Sequence, residues 1–137
     1  MFSLRSINKP LQKINRIQSF QYAFAGIWHT LKTERNAQIH VGIALVIVVL
    51  GFILQLSLTE WAIIILTSGF VIATEMLNTA TESIMDYLTA EFHPQVKIVK
   101  DVAAGAVLVA AFTAVAVGLL ILGPKLFKLV VQLLASN

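Results

Sequence analysis

Trp61-Ala-Ile-Ile-Ile-Leu-Thr-Ser-Gly-Phe-Val-Ile-Ala-Thr-Glu75-Met-Leu-Asn78-Thr-Ala-Thr-Glu82-Ser-Ile-Met-Asp86 is the stretch on which the fold turns. Its first half is apolar enough to cross a bilayer, and its second half carries a polar stripe. At about 100° of rotation per residue, Glu75, Asn78, Glu82 and Asp86 fall within an arc of about 80° on one helix face. Read by itself, the run puts Glu75 near mid-membrane and Asp86 at a membrane surface. A carboxylate at the bilayer centre costs about 2.5–3.5 kcal/mol on insertion scales, so such a group faces protein or a wet cavity and marks a functional site.

The rest of the chain has the composition of a membrane protein. Of its 137 residues 58% are hydrophobic and 12% charged, too apolar for an ordinary soluble domain. There is no cysteine, which excludes disulfides, thiolate metal sites and thiol catalysis. Three apolar runs predict spans at about 39–56, 61–87 and 102–122 of one domain. A polar break from Gln55 to Glu60 turns the chain between the first two, and a polar connection over 89–99, punctuated by Pro94, separates the last two. Gly123-Pro124 is expected to end or kink the third, leaving an amphipathic tail over 125–134.

Ahead of the spans, Ile7, Leu11, Ile14, Ile17, Phe20, Phe24, Ile27 and Leu31 recur every three or four residues. They predict an amphipathic helix over 8–34, capped by Asn8 with Pro10 in its first turn, lying along the membrane interface. No apolar run follows the first basic residues, so no signal peptide is expected. Arg5, Lys9, Lys13, Arg16, Lys32 and Arg35 precede the first span, and the net charge is +3. The anionic partner of this basic arm is expected to be the membrane rather than nucleic acid. With Lys97 and Lys100 on the same side, against Lys125 and Lys128 on the other, the charge bias puts the N-terminus and the second loop in the cytoplasm.

That topology gathers Glu34, Asp86, Lys100 and Asp101 at one membrane face. Clustered carboxylates there suit a hard cation such as Mg²⁺ with substrate phosphates, and a deeper carboxylate suits proton abstraction from a lipid hydroxyl. Phosphoryl transfer from ATP to a membrane alcohol fits this inventory. The chain has no GxxxxGK[ST] loop, no GxGxxG and no soluble-kinase catalytic pattern. From the residues alone, a proton or ion carrier and a structural oligomer held together by the stripe remain open. On residue type, His40 and His93 read as structural or interfacial groups, and Ala103–Gly105 as a close helix contact.

Glu75-Met-Leu-Asn78-Thr-Ala-Thr-Glu82-Ser-Ile-Met-Asp86 resembles the signature of the small prokaryotic diacylglycerol kinase family. So do His93-Pro94 with Lys100-Asp101-Val-Ala-Ala-Gly105-Ala-Val107, and Glu34-Arg35-Asn36 with His40. The His-Pro and Ala-Ala-Gly-Ala-Val wording is most similar to the Gram-positive branch, whose members phosphorylate undecaprenol. The resemblance implies an all-α membrane protein of the bacterial plasma membrane: three transmembrane helices and a surface helix, assembled as a homotrimer with shared active sites. It implies Glu75 as general base, Glu34 and Glu82 on the Mg²⁺ that accompanies ATP, and Asn78 as support for that pair, with Asp86 beside them. Tyr22, Glu91, Phe92, His93, Lys100 and Asp101 would contact the nucleotide. The lipid acceptor would be undecaprenol, with diacylglycerol the alternative. The family's N-terminal arginine falls on Asn15, with Arg16 adjacent, so that contact is shifted or altered.

Overall fold

A computed structural model describes residues 15–89 and 93–136. Four helices account for nearly all of them: α1 (Arg16–Thr33), α2 (Arg35–Ile53), α3 (Leu58–Leu88) and α4 (Pro94–Ala135). No strand occurs among the described residues. The last three helices are long and apolar enough to cross a membrane. α3 packs most extensively on α4 and next on α2, while α1 lies against α2 and α3.

Asn15 starts α1. Its side chain accepts from the Gln18 N–H at 2.9 Å, and the Gln18 side chain accepts from the Asn15 N–H at 3.0 Å. This reciprocal capping box satisfies two otherwise orphaned donors. The helix expected over 8–34 is therefore seen as Arg16–Thr33, and the Asn8 and Pro10 proposed as its start lie outside the described residues. A single extended residue, Glu34, separates α1 from α2. Gln38 of α2 donates through Nε2 to the carbonyls of Leu31 and Lys32, tying the end of α1 to the first turn of α2. Thr30 and Ala37 are buried where the two helices meet.

At the other end of α2 the chain reverses in four residues. The Leu56 N–H donates to Gly51 O and the Gln55 N–H to Phe52 O, the paired bonds of a Schellman motif. Gln55 takes the left-handed position with φ 51°, where glycine is the unstrained choice. Gln55→Gly is accordingly expected to stabilise the fold by about 0.5–1 kcal/mol, read as a raised melting temperature in detergent. Ser57 then opens α3 with a second capping box: its backbone N–H donates to Glu60 Oε2 at 2.7 Å.

This hairpin is clamped by Trp61, whose ring lies 5.1 Å from that of Phe52 and covers Gly51. A Cβ on Gly51 would fall 2.5 Å from Trp61 Cη2 and 2.7 Å from Cζ2. Gly51→Ala must therefore push the indole out of place. The expected loss is about 1–3 kcal/mol with a change in tryptophan fluorescence; unchanged stability and emission would show that the ring is free to move. Leu56, Ile64 and Leu122 form the buried core beside this turn. Glu60 and Lys125 pair across it at 3.2 Å.

α4 departs from expectation at both ends. Pro94 occupies its first turn, where the missing N–H costs nothing, and His93 caps it by accepting through Nδ1 from the Gln95 N–H. The connection expected over 89–99 is thus shorter, because 94–99 is helical. Pro124 does not end the helix, which runs on to Ala135. Proline there removes one backbone donor, and α4 carries on through it.

Helix lengths set the depth of the polar stripe. At 1.5 Å per residue α2 is about 28 Å long, close to a hydrocarbon core of about 30 Å, whereas α3 reaches about 46 Å. Glu75 shares a cavity with Asn36 and His40 of α2. It therefore lies within about 8 Å of the α2 N-terminus, and α3 continues for about 20 Å beyond it. Glu75 is thus level with the first turns of α2, at the α1 end of that helix. Hydropathy along one strand of sequence cannot register this, since it depends on where the neighbouring helix begins.

Candidate active site

Three helix faces build the site. Asn36, His40, Ile43 and Ile47 share one face of α2, and Val71, Glu75, Asn78 and Glu82 share one face of α3. Ala104, Val107, Leu108 and Ala111 of α4 form the third wall of a cavity of about 270 Å³. The Glu75 side chain is 2% exposed, the largest fully buried side chain among the described residues. His40 and Asn36 line the cavity with it, and Glu34 and Glu82 lie near enough to act on it electrostatically.

Two buried oxygens in this cavity have no partner: Glu75 Oε2 and Asn78 Oδ1. The other polar groups of α3 show how unusual that is. Thr67, Thr74, Thr79, Thr81 and Ser83 all return their hydroxyls to carbonyls one turn back in the same helix. Buried acceptors are nearly always satisfied, so two orphans side by side mark a place where a donor or cation belongs. The Asn78 amide, meanwhile, donates through Nδ2 to Glu82 Oε1 at 3.1 Å and so orients the Glu82 carboxylate.

Toward the far end of α3 the walls become charged. Lys100 of α4 is ion-paired with Asp86, and Lys97 with Asp101 one turn away. From Asp86 to Glu75 the axial distance is about 16 Å. Along α3 the stripe therefore runs from an ion-paired rim at Asp86 and Lys100 to Glu82, which Asn78 holds, and then to the buried Glu75. Glu34 joins it as the residue between α1 and α2, its Oε1 accepting from the Thr33 hydroxyl at 3.2 Å.

The remaining expected site residues fall elsewhere. Tyr22 is exposed on α1 and does not line the Glu75 cavity. His93 serves as the α4 cap. Glu91 and Phe92 lie outside the described residues. Within one chain Ala103–Gly105 makes no close helix contact at Gly105, where a Cβ would meet nothing within 4 Å, and Ala104 lines the cavity. Sequence reading took His40 as structural or interfacial; the structure sets it in the wall of the Glu75 cavity. Its signal was present in the four-residue spacing from Asn36, but a lone imidazole in an apolar span carries little weight until the cavity is seen.

The residue set can be tested against a divalent cation. Among the described residues no cluster of three or more His, Cys, Asp or Glu side chains is disposed to hold a metal ion. Mg²⁺ does not need such a cage, being held by one or two carboxylates together with substrate phosphates. Glu34, Glu82 and the unpartnered Asn78 Oδ1 are hard-oxygen groups of the kind such an ion would take.

The sequence profile described as prokaryotic diacylglycerol kinase matches residues 21–122, three-quarters of the chain and every wall of the cavity. The chain belongs to the prokaryotic diacylglycerol kinase family. It is 46% identical over 115 residues to an undecaprenol kinase of Bacillus subtilis, covering 83% of this chain and 94% of that protein. It is 41% identical over 130 residues to a diacylglycerol kinase of Synechocystis sp., covering 90% of this chain and 74% of that one. The protein is a membrane lipid kinase of this family, and the part of α4 beyond Leu122 lies outside the family's matched region.

Proposed function

We propose that this kinase phosphorylates undecaprenol, with ATP and Mg²⁺, at the cavity of Glu75. The observation that carries the reading is the buried, unpartnered Glu75 Oε2 beside an aliphatic wall of α4. It is an acceptor with a free lone pair, placed where a lipid hydroxyl can donate to it. The higher identity to the undecaprenol kinase, over nearly the whole of that protein, favours the polyprenol over diacylglycerol.

In this mechanism the nucleotide enters at the Asp86–Lys100 rim from the cytoplasm, the side favoured by the excess of basic residues. Lys100 leaves Asp86 for a phosphate oxygen, and Asp101 helps to seat the nucleotide. Glu34 and Glu82 would hold Mg²⁺, which when bound neutralises phosphate charge as it develops. Asn78 keeps Glu82 oriented. Glu75 accepts the proton of the lipid hydroxyl as its oxygen attacks the γ-phosphorus in line, and the bond to the β–γ bridging oxygen breaks. The products are the lipid phosphate and ADP, with the proton on Glu75. The small share of each span buried within one chain supports assembly with further copies, and a homotrimer is the proposed form.

Phosphate transfer from labelled ATP to undecaprenol and to diacylglycerol in matched micelles tests the substrate assignment. Faster transfer to undecaprenol is expected. Preference for diacylglycerol would reverse the assignment while leaving the chemistry in place.

A further inference from the structure

His40 stands where three cavities meet. It lines the polar cavity of Glu75, and a narrow neck of about 40 Å³ bordered by Ala44, Ser68 and Ala114. It also lines an apolar groove of about 330 Å³ that follows α4 past Gly118 and Leu122 to Leu126. The groove runs for about 22 Å from Ala111 to Leu126, most of a hydrocarbon core, with Val71 of α3 at its near end. Its lining is aliphatic apart from His40. An imidazole suits such a boundary: its ring carbons tolerate the apolar side, and its nitrogens serve the polar one.

Resting on the lipid-kinase reading, we propose that His40 is the positioning residue for the acceptor alcohol. The lipid chain lies in the groove and its hydroxyl stops at the imidazole. There an imidazole N–H donates to the hydroxyl oxygen, while the hydroxyl donates to Glu75 Oε2. Glu75 Oε2 then gains the partner it lacks, and the attacking oxygen is fixed in depth next to its base. In the neck the polar side chains are those of His40 and Ser68, and a polyprenol offers one small polar group at its chain end. The groove beyond it has no donor for ester carbonyls.

Steady-state kinetics of wild type, His40→Ala and His40→Gln, with undecaprenol and ATP varied separately, test this. For His40→Ala the KM for lipid is expected to rise about tenfold and kcat to fall by a similar factor, with the KM for ATP within about twofold of wild type. The Gln side chain retains an N–H donor at nearly the same reach and is expected to recover most of both losses. Melting temperature and oligomer size in detergent serve as controls.

An unchanged lipid KM in an active, folded His40→Ala protein overturns the assignment. So does a loss shared equally by lipid and ATP with a lowered melting temperature, which would make His40 a structural residue, or a failure of Gln to rescue. Wild-type protein that transfers phosphate to no lipid alcohol would instead overturn the kinase reading itself.

Discussion

Glu75→Gln is expected to lower kcat by about 10²–10⁴-fold while the protein remains folded, oligomeric and able to bind Mg-ATP. The amide nearly matches the carboxyl in shape, so the packing that leaves Glu75 2% exposed is preserved. What is lost is the lone pair of an anionic oxygen, now replaced by a group that cannot take up a proton at neutral pH. A loss of that size corresponds to about 3–5 kcal/mol of transition-state stabilisation. Kinetics with saturating lipid and ATP, alongside nucleotide binding by calorimetry, separate the outcomes. Activity within a few-fold of wild type would remove Glu75 as base. Dissociation or unfolding of the variant would mean that the carboxyl holds helices together instead.

Glu82→Gln should fail differently. Glu82 is the carboxylate that Asn78 orients at 3.1 Å, and it lies between Glu75 and the Asp86–Lys100 rim. Losing its charge is expected to raise the Mg²⁺ concentration needed for half-maximal activity by at least about tenfold and to cut kcat/KM for ATP by about 100-fold. Asn78→Ala should produce a milder shift of the same kind, because groups that orient metal ligands typically contribute 10- to 100-fold. Glu75→Gln, in contrast, should leave the Mg²⁺ requirement unchanged. Titration of activity against Mg²⁺ for the three variants reads this split. Equal Mg²⁺ curves for Glu82→Gln and wild type would take Glu82 out of the metal site.

The spans and the polar stripe were legible because both are local properties of a helix. Apolar length marks a crossing, and the spacing from Glu75 to Glu82 places carboxylates on one face whatever surrounds them. Matters of register between helices were not legible. Hydropathy along α3 alone put Glu75 at mid-membrane, whereas the packing of α3 beside the shorter α2 sets it level with the first turns of that helix. His40 illustrates the same limit, since its importance comes from three cavities that share it.

Local signals also competed with one another. Asn15 with Gln18 is a helix start that the apolar periodicity does not mark, and the structure shows it used as a capping box. Pro94 reads as punctuation in a loop and equally as a first-turn residue; the His93 cap decides for the helix. At Pro124 the breaker tendency loses to the apolar run on either side, and α4 continues. Tyr22 and His93 were implicated only through family resemblance, and within one chain neither lines the cavity.

The most direct test uses Mn²⁺ as a paramagnetic stand-in for Mg²⁺, with a non-hydrolysable ATP analogue, on protein labelled at side-chain amides. The expected result is strong broadening of the Asn78 amide only when metal and nucleotide are both present, with Gln55 and Gln132 at the hairpin end unaffected. A sharp Asn78 signal under saturating metal and nucleotide, or broadening confined to the hairpin end, would contradict a phosphoryl-transfer site at Glu75 and Glu82.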